Sequence, residues 1–151
     1  MRLRALLTPP KVLFVACSDD RLPILGFLEE ELRLPEGFYF PLRLAGGLSP
    51  LAHEKELPDD FQSVLKQTRI IEHKPTITSA IILEHADCTY RKTHIPQFAH
   101  NGIEDLLVIA DVLSQNLPQL TQIQLWYANL IVHDFDFQKI KVITPQTVSA
   151  V

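Results

Sequence analysis

Lys11-Val-Leu-Phe-Val-Ala16, running without a break into Cys17-Ser-Asp-Asp-Arg21, is the stretch on which the reading of this chain turns. A short apolar run, rich in β-branched residues and free of alternation, is the pattern of a strand covered on both faces, as in a parallel sheet. The change at Cys17 to small and charged residues marks the carboxyl end of that strand. Two later runs also read as strands, Phe38 to Leu44 and the buried run Ser79 to Leu83. Phe38 to Leu44 precedes Ala45-Gly46-Gly47, where a backbone turns sharply at little cost. Ser79 to Leu83 precedes Glu84-His85-Ala86-Asp87-Cys88.

Helical periodicity fills the intervals. Ile24, Leu25, Leu28 and Leu32 define one apolar face of a helix from Leu22 to Leu34, ended by Pro35 and Gly37. Leu48 to Asp60 reads as irregular, with Asp60 placed to cap a helix from Phe61 to about His73 that Pro75 closes. A helix from Ile103 to Gln115 carries Ile103, Leu106, Leu107, Ile109, Ala110 and Leu113 on its inner side. Leu117 to Leu120 is a proline-broken connection. Gln122–Val132 and Phe137–Ile143 then flank His133-Asp-Phe-Asp136, which predicts a C-terminal antiparallel hairpin at one edge. The alternation of strand and helix gives an α/β fold, a mostly parallel central β-sheet flanked by helices.

A chain of 151 residues, 46% of them hydrophobic, is expected to form one domain over residues 1–151, with 1–10 as an N-terminal extension. The formal net charge is -4 and the 14 Lys and Arg residues are scattered, so no basic stripe tracks phosphates and nucleic acid is not an expected partner. Pro9 and Pro10 interrupt the opening apolar residues, and no run approaches the roughly 20 apolar residues of a membrane span. A cytoplasmic protein without membrane contact is expected. Two cysteines far apart in such a chain read as thiols or metal ligands rather than as a disulfide.

The placement of those cysteines carries the chemistry. In open α/β sheets, groups at the carboxyl ends of parallel strands face a shared crevice. Cys17 ends one buried strand, and His85 and Cys88 follow another. Two thiolates and an imidazole suit Zn²⁺, whose catalytic sites keep three protein ligands and leave a fourth position open. A lone His-x-x-Cys arises often by chance and reads equally well as a buried thiol beside a hydrogen-bonded imidazole. It is Cys17-Ser-Asp19-Asp-Arg21 at the matching strand end that favours a metal. A cysteine-nucleophile phosphatase is a poor match, because Asp19 and Asp20, lying between Cys17 and Arg21, would repel a phosphate.

Taken together, Cys17-x-Asp19-x-Arg21, Arg43-x-Ala45-Gly46 and His85-x-x-Cys88 resemble the β-class carbonic anhydrases in order and in strand context, over roughly Lys11 to Thr93. The resemblance implies that Cys17, His85 and Cys88 bind zinc and that Asp19 and Arg21 form the dyad beside it. The implied reaction is reversible hydration of CO₂ to bicarbonate by a zinc-bound hydroxide, zinc lowering the pKa of bound water to about 7. Arg21 would hold Asp19 ionised and off the metal through a bidentate pair. With Asp19 as fourth ligand the site is instead closed, and the alternatives are a zinc-stabilised, non-catalytic protein or a zinc hydrolase of another small substrate on the same scaffold. A homodimer or higher homo-oligomer is implied too, although the helices that in the family wrap a partner subunit have no counterpart before Lys11. The chain departs from the family pattern at Thr89, usually glycine, and at Leu44 and Gly47, usually asparagines.

Of the other histidines, His94 and His100 follow the Cys88 loop. They read as solvated loop residues or as proton-transfer groups, since a free imidazole titrates near pH ~6.5. Tyr90, Arg91 and Lys92 stand at the mouth of the expected cleft or in solvent, with no role assigned.

Overall fold

The six side chains of Val12–Cys17 are all buried because this strand, β1, lies inside the sheet, parallel to β2 (Tyr39–Leu44) on one side and β3 (Ser79–His85) on the other. The structure, a computed structural model, describes residues 1–5 and 8–145. Residues 6–7 of the expected extension and 146–151 of the expected domain lie outside the described residues. β4 (Gln122–Ile131) runs parallel to β3, and β5 (Asp134–Ile143) returns antiparallel along β4, giving the order β2-β1-β3-β4-β5. This is the expected α/β architecture, with the antiparallel pair at its C-terminal edge. The hairpin is tighter than the sequence predicts: Asp134 and Asp136 belong to β5, and Val132 and His133 alone make the reversal, Val132 at φ 56.

Alternate side chains of a strand point to opposite faces, so each strand contributes to two cores. Leu13, Val15, Ala80 and Ile82 pack beneath α2 (Pro58–Thr68) and α4 (Gly102–Asn116). Phe14, Ala16, Ile81 and Leu83 pack on the other face beneath α1 (Ile24–Gly26).

α1 passes directly into a π-helical turn, Phe27–Glu31, where the Leu32 N–H donates to the Phe27 carbonyl at 3.0 Å. A turn widened by one residue rotates the stripe that follows it. Ile24, Phe27 and Leu28 still follow the i, i+3, i+4 spacing of one helical face and are buried, whereas Leu25, expected inside, precedes the widened turn, stands one residue off that face and is 67% exposed. Phe27 meets Trp126 edge-on at 5.1 Å and stacks on Phe137 at 4.5 Å. Burying such a side chain contributes about 1.5–3 kcal/mol.

α2 begins earlier than predicted, with Pro58 in its first turn, where the missing proline N–H costs nothing. Asp60 is thus inside the helix rather than capping it, and its carboxylate accepts from Tyr90 Oη at 2.5 Å. The helix gives way at Thr68 to a 3₁₀ turn, Arg69–His73. On α4 the buried stripe is Leu106, Ile109, Ala110 and Leu113 as expected, while Ile103 and Leu107 face solvent. Gly102 and Asp105 take their place on the inner side: a Cβ on Gly102 would fall 2.7 Å from the Tyr127 ring, and Asp105 reaches a buried arginine. Among the described residues no helix is long and apolar enough to cross a membrane.

Candidate metal centre

β1 and β3 are parallel neighbours, so Cys17 and His85, the last residues of each, emerge side by side at the carboxyl edge of the sheet. Beyond His85 the chain turns back at Asp87, which adopts φ 58, a left-handed conformation that aspartate tolerates better than most residues. That turn delivers Cys88 to the cap position of α3 (Thr89–His94). One donor atom from each of Cys17, His85 and Cys88 then lies within 4.8 Å of the others, and all three residues are buried.

The ring orientation of His85 follows from its neighbour. Nδ1 is 2.7 Å from the Ala86 carbonyl, which can only accept, so Nδ1 carries a proton. Nε2 is buried without a hydrogen-bond partner among the described residues. The two sulfurs share one proton in effect: the hydrogen bond from Cys88 lowers the Cys17 pKa against the opposing effect of burial, and Cys88, which holds that proton, is raised. Burial favours the neutral form of His85, but the facing Cys17 thiolate outweighs it and the ring is raised overall. A buried imidazole nitrogen left bare between two thiols, one of them readily ionised, fits a soft divalent cation such as Zn²⁺.

Asp19 and Arg21 form the bidentate pair that the sequence anticipates. Arg21 Nε donates to Asp19 Oδ1 at 3.1 Å and Nη2 to Oδ2 at 2.7 Å. These hydrogen bonds hold the Asp19 carboxyl at about 2 despite the opposing effect of partial burial. Asp19 Oδ2 also lies 4.0 Å from His85 Nε2. Arg21 reaches further than expected, donating to the Asp87 carboxylate and the Asp87 carbonyl, both at 2.9 Å. It therefore ties the loop after β1 to the loop after β3. Lys92 pairs with the other Asp87 oxygen. Arg43, at the end of β2, donates to the Cys17 carbonyl at 3.1 Å and to that of Asp19 at 2.9 Å, so the resemblance's second motif is a brace for the first.

Gly46 sits at φ 77 and its N–H approaches Cys17 Sγ at 3.4 Å. A Cβ there would fall 2.2 Å from the Tyr90 ring. Cys17, Asp19, Arg21 and Tyr90 line a cleft of about 440 Å³, with His94 also on its wall. His100, His85 and Cys88 are not among its lining residues.

Behind the centre runs a chain of charges that the sequence reading did not connect. Glu84 Oε1 accepts from the Leu48 N–H at 3.0 Å, and Oε2 faces Arg91 Nη2 at 3.9 Å. Arg91 Nη1 donates to Asp105 Oδ2 at 2.6 Å, and the same oxygen is 2.6 Å from His53 Nε2. All four side chains are buried, so Arg91 belongs to the core rather than to the cleft mouth. Burial pushes Glu84 up to about 7, Arg91 opposing. The available signals were a glutamate continuing the apolar Ile-Ile-Leu run and an aspartate on the inner stripe of a helix.

The chain is an α/β protein with a buried Cys-His-Cys donor set that could hold a metal ion at the carboxyl edge of its parallel strands. The fold is that of the β-carbonic anhydrases. The β-carbonic anhydrase isoform I of the protozoan Trichomonas vaginalis superposes with a TM-score of 0.61 at 16% identity, covering 96% of this chain and 90% of that one. The β-carbonic anhydrase CcaA superposes with a TM-score of 0.51 at 17% identity, covering 93% and 80%. No protein-family model and no curated protein matches the sequence.

Proposed function

We propose that the chain is a zinc-dependent carbonic anhydrase in which Cys17, His85 and Cys88 hold the metal and Asp19 and Arg21 serve the reaction, the reversible hydration of CO₂ to bicarbonate. The observation that carries this reading is the convergence of the three donors within 4.8 Å beside a carboxylate already engaged by arginine. Cys17, His85 and Cys88 would hold the zinc, which when bound would supply Lewis-acid activation of water at neutral pH. The protein's own part is to aim and hold. Asp19, ionised throughout the neutral range, uses both oxygens on Arg21, yet Oδ2 has a second lone pair available for a water proton on the side of His85. Arg21, fixed in turn by Asp87, keeps that carboxylate from drifting. Arg43 fixes the backbone of the same loop.

A second reading has a specific observation behind it. The 4.0 Å between Asp19 Oδ2 and His85 Nε2 also suits a closed Cys₂-His-Asp site that stabilises the fold and activates nothing. Zinc content and CO₂ hydration, followed from about pH 6.5 to about pH 9 for the parent, Cys88→Ala and Asp19→Ala, separate the two. One zinc per chain with hydration that rises with pH and vanishes in Cys88→Ala is the expected result. Stoichiometric zinc with no hydration at any pH leaves the closed site or a zinc hydrolase of another small substrate, and absence of zinc defeats every zinc reading.

A further inference from the structure

Two clefts meet at Tyr90. The metal cleft, about 440 Å³, lies on one side of its ring. A side cleft of about 210 Å³, between the end of β2 and α2, lies on the other, and Ala45 and Tyr90 line both. The ring is held at three points. Its hydroxyl donates to Asp60 on α2 at 2.5 Å, and its face rests on Gly46, where a Cβ would be 2.2 Å from Cδ1. The His94 ring leans on it with 4.6 Å between centroids. An aromatic side chain has only two torsions to settle, so these contacts leave it as a rigid partition rather than a mobile gate.

We infer that Tyr90 is a specificity-determining wall of the metal cleft: by separating it from the side cleft, the ring limits how far a ligand that enters beside Cys17 extends toward α2. This rests on the metal reading proposed above. Tyr90, two residues after Cys88, is the side chain that lines both clefts together with Ala45. Replacing Tyr90 by a small residue opens a passage toward α2 into which an aryl group attached to a metal-binding head would extend.

The test compares the parent, Tyr90→Ala and Tyr90→Phe, loaded with Co²⁺ and titrated by visible absorption with thiocyanate and with benzenesulfonamide. Tyr90→Ala is expected to bind benzenesulfonamide about tenfold tighter while its thiocyanate affinity stays within about twofold, and Tyr90→Phe, which keeps the ring, is expected to match the parent. Equal changes for both probes, or no change for benzenesulfonamide, overturn the assignment. A second measurement uses the metal-free protein and counts alkylation of Cys17 by iodoacetamide and by N-pyrenylmaleimide. The bulky-to-small rate ratio should rise about tenfold in Tyr90→Ala. A raised ratio without a cobalt spectrum upholds the wall and counts against the metal reading alone, whereas a normal cobalt spectrum with an unchanged ratio removes the wall and leaves the metal reading standing. Tyr90→Leu, which retains more apolar volume, replaces Tyr90→Ala where the smaller residue prevents folding.

Discussion

Asp19 Oδ2 lies 4.0 Å from His85 Nε2 while Arg21 occupies both oxygens of the same carboxylate. Asp19 is thus close to the donor triad and tethered beside it by a residue two positions along the chain. Under the proposed function that tether keeps the fourth metal position open. Arg21→Ala is expected to lower CO₂ hydration by roughly 10- to 100-fold with zinc retained at one per chain. Full activity in Arg21→Ala, measured by stopped flow alongside metal analysis, would contradict the role given to the pair.

The same pair has a signature in acid. Asp19 is held at about 2, below the ~3.9 of an unfolded aspartate, so the stability it contributes is complete above about pH 4 and is lost as pH falls toward about 2. Asp19→Asn should therefore be less stable than the parent at neutral pH, and the gap should close below about pH 4. Circular dichroism melts at a series of pH values read this directly, and a gap that persists undiminished at low pH would show that the mutation acts through packing instead.

The buried charges behind the centre predict a non-additive pair of mutations. Arg91→Met leaves Glu84 and Asp105 without their shared cation and should cost about 3–5 kcal/mol. Adding Glu84→Gln removes one of the two stranded charges, so the double variant should regain part of that loss. Urea unfolding of the two single variants and the double variant gives the coupling, and strict additivity would mean that Glu84 and Arg91 do not sense each other across 3.9 Å.

Two glycines should respond in opposite ways to alanine. Gly46→Ala forces a side chain into φ 77 and against the Tyr90 ring, at a cost of at least about 1–3 kcal/mol, and disturbs the N–H that approaches Cys17 Sγ. Gly26→Ala meets nothing within 4 Å in a helical conformation and should be neutral or stabilise by up to about 1 kcal/mol. Thermal melts of both, with metal titration of Gly46→Ala, check the contrast.

What the residues declared in advance, and what they did not, follows from the range of the interactions. The strand ends were legible because an apolar run that stops at Cys17 or at Glu84-His85 is a local signal, and the register of β1 with β3 turns two such stops into one crevice. The Asp19–Arg21 pair was legible for the same reason. Leu25 is misplaced because the expected apolar face leaves out Phe27: Ile24, Phe27 and Leu28 share one helical face, and Leu25 stands beside it. Asp60 reads as a cap when only its chain neighbours are weighed, because the partner its carboxylate takes in the fold, Tyr90, stands on α3, 30 residues along the chain. Arg91 looked like a surface residue since its partners, Glu84 and Asp105, come from two other elements that only the folded sheet assembles.

The three converging donors come from both sides of two crossovers, Cys17 before β2 and α2, His85 and Cys88 after them. A chain emerging from the ribosome therefore has a single ligand until β3 is complete, and pairing β1 with β3 requires the closure of a long loop before any contact repays it. An ion gripped by all three would make that pairing harder to undo than to form. Its main effect on the lifetime of the folded protein would then be a slower unfolding rate, with the speed of folding set by topology.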